Sequence, residues 1–137
     1  MDSVSEFKNF YREKGIEELQ CESNHWKSNL AFLEKELTFL KIVLDANIFN
    51  DSISNLSEIL ELFKKELVEL NDNRVNLLDC VSFHIEHLER KKHYNKPNCN
   101  QFYVEIHKKL DYDVLVLFEE SNMIKQRLFE FIEGTLI

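Results

Sequence analysis

The first long segment of the chain carries an apolar position at alternating steps of four and three residues. A stripe with this spacing lines one side of an α-helix and packs against neighbouring helices. Near Ile48 and Phe49 the stripe stops, and Asn50-Asp51-Ser52 follows, three residues that favour turns and helix N-caps. The stripe of this first predicted helix consists of Leu19, Ser23, Trp26, Leu30, Leu33, Leu37, Leu40 and Leu44.

A second stripe with the same spacing begins at Ile53 and continues to Leu88, and two of its positions, Arg74 and His84, are polar. The triplet Asn71-Asp72-Asn73 could be a loop that splits this segment and gives a domain of four helices. The heptad spacing passes through the triplet in register, whereas a loop would usually lose the phase. The pattern therefore favours one continuous helix.

The second helix is predicted to end before Lys96-Pro97, since proline disfavours helical geometry in the residue before it. A third stripe follows. It begins after Asn98 and is predicted to end at Gly134, because glycine adopts a left-handed cap without steric cost. The run 114–118 has strand propensity, but a lone strand leaves its backbone groups unpaired, so we interpret it as helix. The stripe consists of Ile106, Leu110, Val114, Leu117, Ser121, Ile124, Leu128 and Phe131.

The three stripes predict an all-α fold, an up-down-up antiparallel bundle of three long helices that forms a single domain over residues 1–137. The chain contains only two glycines and one proline, and a sheet of this length would need many more turns. Residues 4–14 are out of phase with the first stripe. They form either a short separate helix or a kinked extension of the first helix.

The net charge of −8 argues against nucleic-acid binding, since an acidic domain repels the phosphate backbone. No apolar run approaches the ~20 residues that a membrane span requires. Cys21, Cys80 and Cys99 are odd in number and form no C-x-x-C pair, and the first residues are acidic and polar. We therefore expect unpaired thiols and a cytoplasmic protein.

A polar layer is predicted in the middle of the bundle. Short connections make neighbouring helices antiparallel, so the numbers of facing residues should sum to about 101 in helices one and two and about 194 in helices two and three. This rule places Arg74 level with Glu120 and near His25, with Glu22 as a further carboxylate. A seam arginine should pair with a carboxylate, because an unpaired buried charge is costly.

A histidine cluster is predicted nearer one end. His84 and His87 share a helix face, His107 should lie level with His87, and Asp111 follows one turn later. Histidines with a carboxylate could bind zinc or iron. Carboxylate-bridged bundles use two Glu-x-x-His motifs, however, and only residues 22–25 match. The simpler interpretation is a hydrogen-bonded core histidine with solvated neighbours.

Apolar residues outside the stripes suggest a contact surface. Phe32 and Phe39 on helix one, with Leu115 and Phe118 on helix three, exceed what a slender core can hide. No catalytic motif is present. We therefore expect a non-catalytic interaction or scaffolding module, either a homodimer or bound to a helical protein partner. Alternatives are a monomer with a wide core and a small metal- or ligand-binding bundle.

Overall fold

Three helices make up the part of the chain that the structure describes. The computed structural model of the chain describes residues 15–94 and 100–137. Its helices are α1 (Ile16–Asp45), α2 (Leu56–Tyr94) and α3 (Asn100–Thr135). The predicted all-α bundle of three helices is confirmed. The predicted segment 4–14 and the predicted turn at Lys96-Pro97 lie outside the described residues.

Helix α2 is continuous through residues 71–73, so the alternative with four helices is wrong. The run 114–118 lies inside α3, as predicted. Within the two described ranges, no helix combines the length and the apolar character that crossing a membrane requires.

The core consists mainly of the predicted stripes. All eight predicted positions of α1 are buried, and leucines of each helix are fully enclosed. Burial of this stripe contributes the main favourable free energy of folding, at ~25 cal/mol per Å² of apolar surface. The described residues form two compact units, and all three helices contribute to both. Unit 1 comprises residues 15–30, 77–94 and 100–114, and unit 2 comprises residues 31–76 and 115–137.

The connection between α1 and α2 differs from the predicted three-residue turn. It spans residues 46–55, and Ile53 lies in it rather than in a helix. The side chain of Asn50 accepts hydrogen bonds from the amide (3.0 Å) and the hydroxyl (2.8 Å) of Ser52, so it turns the chain without capping α2. Asn55 precedes α2 with a φ of 59°, in the left-handed region that asparagine tolerates better than most residues.

The connection is fastened to the end of α3, within unit 2. Residues 48–50 pair with residues 135–137, and α3 ends at Thr135. The predicted left-handed stop at Gly134 is wrong, because no described glycine has a positive φ. The backbone bonds run from Asn50 N–H to Thr135 O (2.8 Å) and from Ile137 N–H to Ile48 O (3.0 Å).

Phe49 shows why the first stripe seemed to extend past the end of α1. Its ring is buried and lies 5.9 Å from Phe131, which in turn lies 5.2 Å from Phe63. These three rings close the core of unit 2 at the connection. The apolar character of residues 48–49 therefore serves a loop that packs on the core, not a further turn of helix.

The register of the helices follows from the length of this connection. Facing residues of α1 and α2, such as 20 and 89 or 45 and 64, have numbers that add to about 109, whereas about 101 was predicted. That error is about two helical turns. Facing residues of α2 and α3, such as 66 and 127, add to about 193, close to the predicted 194.

Truncating a core leucine tests the packing. Leu70 is fully buried in α2, whereas Leu62 on the same helix is 64% exposed. We expect Leu70→Ala to lower the free energy of unfolding by about 2–5 kcal/mol, because it leaves a cavity. The matched variant Leu62→Ala should change it by no more than about 0.5 kcal/mol. Equal losses in urea denaturation would contradict the described burial.

Candidate functional site

A chain of three polar side chains crosses the core of unit 1, one from each helix. His84 Nε2 on α2 lies 3.1 Å from His107 Nδ1 on α3, and His107 Nε2 lies 2.7 Å from Glu22 Oε2 on α1. The two histidines are only 2% and 1% exposed. The side chain of Glu22 is 37% exposed, so the chain leads from the surface to the interior.

The neighbours of the chain explain how it fits in the core. The indole of Trp26 stacks on the His107 ring, with ring centroids 4.4 Å apart and an interplanar angle of 31°. Ser23 is fully buried, and its hydroxyl donates a hydrogen bond of 2.7 Å to the Leu19 carbonyl.

His84 is neutral at pH 7. Burial lowers its pKa from 6.5 to about 4, and repulsion from His107 and His87 adds to the effect. Its Nδ1 is buried and has no hydrogen-bond partner among the described residues. A charged imidazole at this position would lack a compensating anion in direct contact, which makes protonation costly.

The predicted zinc or iron site is not assembled. His107 contacts His84 instead of His87, which packs on the ring of Phe83 with centroids 4.3 Å apart. Asp111 is exposed. In the described part of the chain, no group of three or more His, Cys, Asp or Glu side chains could hold a metal ion. The polar groups form a linear chain through opposite nitrogens of His107 and do not converge on one point.

The predicted polar layer of Arg74, Glu120, Glu22 and His25 is not brought together either. Glu120 and His25 are exposed, and Glu22 contacts His107 in unit 1. The misplaced register of α1 explains the error for Glu22 and His25, because it moved them by about two turns. Glu120 lies on α3, whose register was predicted closely, and its side chain is exposed.

Arg74 is nevertheless buried, at 4% exposure, and paired as a seam arginine should be. Its Nε donates to Asn71 Oδ1 at 2.9 Å, and its guanidinium lies 3.8 Å from a carboxylate oxygen of Glu34. All three residues belong to unit 2. The expectation of a carboxylate partner was therefore sound, but its identity was wrong.

Sequence reasoning missed a buried lysine near the end of α2. Lys91 is 5% exposed, and its amine has no hydrogen-bond partner within the described residues. The signal was present, because Lys91 lies three positions after Leu88 and so continues the stripe.

Unit 2 carries most of the exposed apolar surface. Of the fifteen large exposed hydrophobic side chains among the described residues, twelve belong to unit 2 and three to unit 1. Phe32 and Phe39 are each 62% exposed and Leu115 is 57% exposed, as their predicted contact role requires, whereas Phe118 is half-buried.

An ion pair locates part of this surface. Lys125 Nζ on α3 lies 3.1 Å from Glu36 Oε2 on α1, so the two helices are side by side there. Phe32 and Phe39 lie one turn before and after Glu36, and Phe129 lies one turn after Lys125. We call five exposed residues of these two helices the apolar face: Phe32, Phe39, Ile42, Leu115 and Phe129.

No family model matches this chain, and searches of curated proteins and of solved structures found no match.

Replacing the buried arginine tests whether Arg74 is structural. Arg74→Met removes the charge but keeps most of the aliphatic volume. Replacing a whole buried ion pair by apolar side chains is often neutral or stabilising, whereas removing one partner costs about 3–5 kcal/mol when the other charge stays buried. Glu34 is exposed and can return to water, so we expect the variant to lose no more than about 2 kcal/mol in urea denaturation. A loss of more than about 2 kcal/mol would show that the pairing itself stabilises unit 2.

Proposed function

We propose that this chain is a non-catalytic helical interaction module that associates with a second copy of itself through the apolar face of unit 2. The observation that carries the proposal is the concentration of exposed aromatic and aliphatic side chains on α1 and α3 of that unit. Monomeric proteins rarely leave large apolar patches in water, and such patches commonly mark contact surfaces.

The burial that a second copy would provide is large enough to offset the cost of association. Burying one large apolar side chain completely is worth about 1.5–3 kcal/mol. The five residues of the apolar face are each more than half exposed. Covering them on two copies would therefore contribute on the order of 10 kcal/mol, which is comparable to the association cost of roughly 4–15 kcal/mol.

The distribution of charge favours a second copy as the partner. Next to its apolar residues, α3 exposes Glu119, Glu130 and Glu133, whereas α1 exposes Lys35 beside Phe32. A twofold arrangement that places α1 against the partner's α3 brings the lysine to the acidic side twice. It also keeps the glutamates of the two copies apart, which pairing of α3 with itself would not.

The enclosed polar chain fits a structural role better than catalysis. His84 and His107 are 2% and 1% exposed, so they present no nitrogen to a substrate in solution. A general acid or base must lie within hydrogen-bond reach of the group it serves. The described free cysteines, Cys21 and Cys80, are exposed.

A double substitution on the apolar face tests the proposal. We expect the wild-type chain to have a molecular mass of twice 16.4 kDa in light scattering after size exclusion, and Phe32→Glu/Phe39→Glu to have a mass of 16.4 kDa. Four buried carboxylates in a dimer would have no partners, so the dimer should weaken at least ~100-fold. The helix content of the variant should not change, because both phenylalanines are exposed.

Phe102→Glu is the matched control, since Phe102 is equally exposed, at 61%, but belongs to unit 1. It should remain a dimer. A wild-type chain that stays at 16.4 kDa at high micromolar concentration would refute self-association. A double variant that dimerises as the wild type does would place the contact elsewhere.

A further inference from the structure

We propose that the Glu22–His107–His84 chain is a two-step proton switch, which accepts one added proton without breaking and opens unit 1 when it receives a second. The proposal does not depend on self-association. It follows from the directions of the hydrogen bonds among three groups in direct contact.

With Glu22 ionised and both histidines neutral, the three side chains have one possible arrangement of protons. An ionised carboxylate only accepts hydrogen bonds, so His107 Nε2 must carry the proton that it donates to Glu22. In a neutral His107, Nδ1 is then a lone pair and accepts from Nε2–H of His84. The Nδ1 of His84 is consequently the bare nitrogen, and it is the buried atom without a partner.

One added proton leaves both hydrogen bonds in place. The proton binds Nδ1 of His107, and the resulting imidazolium donates to Glu22 and to His84. His84 now accepts at Nε2, so its own proton moves to Nδ1 and the ring stays neutral. The positive charge on His107 faces the carboxylate of Glu22 at 2.7 Å, in a charge-assisted hydrogen bond.

A second added proton cannot be accommodated with both hydrogen bonds intact. On His84 it would place two N–H donors against each other at 3.1 Å and two positive rings in contact. Helix α2 adds the repulsion of His87, α3 supplies His107 itself, and the carboxylate from α1, Glu22, lies on the far side of His107. A buried cation at this position has no anion in contact with it, so His84 stays unprotonated until unit 1 opens.

The direction of the pH effect follows from His84. Its pKa is about 4 in the folded protein and 6.5 in the unfolded chain, so the unfolded chain binds the second proton more readily. The contribution of His84 to the stability of unit 1 is therefore fully present above pH 6.5 and is lost as the pH falls from 6.5 towards 4. Over that interval the ratio of closed to open unit 1 should fall on the order of 100-fold.

Trp26 is a built-in reporter of the first step. It is the only tryptophan of the chain and stacks on His107. A protonated imidazole quenches indole emission, so the fluorescence of Trp26 should fall when His107 becomes charged. The second step is read separately, by hydrogen exchange of the backbone amides in peptides from unit 1 and from unit 2.

The experiment is an acid titration of the full chain from neutral pH to about pH 4, with exchange rates corrected for their intrinsic pH dependence. We expect Trp26 emission to fall first. Amides of unit 1 should then lose protection on the order of 100-fold more than those of unit 2. In His84→Leu the second step should disappear while the fluorescence step remains.

His25→Gln is the matched control, because His25 is exposed and adjacent to Trp26 in sequence, and it should keep both steps. If His84→Leu fails to fold, Glu22→Gln serves instead. In this variant no carboxylate stabilises the charged His107, so Trp26 emission and the protection of unit 1 amides should change together in one step. The proposal fails if His84→Leu opens as the wild type does, or if both units lose protection equally. It also fails if Glu22→Gln keeps two separate steps.

Discussion

Burial of one leucine-rich stripe from each helix is the interaction on which the rest of the structure depends. Long helices gain little stability from their own hydrogen bonds and need a packed face to persist in water. Leu30, Leu70 and Leu128, one from each helix, are fully enclosed. Because the stripe fixes which side of each helix turns inward, it also determines which polar residues are buried and which apolar residues stay exposed.

Both consequences shape the proposed function. In unit 1, the inward positions of α2 and α3 bring His84 and His107 into contact. In unit 2, the outward positions of α1 and α3 hold phenylalanines such as Phe39 and Phe129 in water. The same helical periodicity thus produces both the buried histidine pair and the exposed apolar surface from which the two proposals are argued.

The helices could be predicted from the sequence, and the contacts between them could not. Three-and-four spacing identified each helix and carried α2 correctly through residues 71–73. Phe49 is as apolar as a stripe residue, so nothing local showed that it belongs to a loop packed on Phe131. Misjudging the length of that connection shifted the predicted position of α1 by two turns. The prediction therefore placed Glu22 near Arg74, where the structure has Glu34.

Isotope-filtered NMR on an equal mixture of labelled and unlabelled chains tests most directly whether a second copy covers the apolar face, since it detects only contacts between copies. We expect intermolecular contacts from the rings of Phe39 and Phe129, and none from the aromatic residues enclosed in the core. Intermolecular contacts confined to residues outside the apolar face, or a spectrum with none at high concentration, would contradict it.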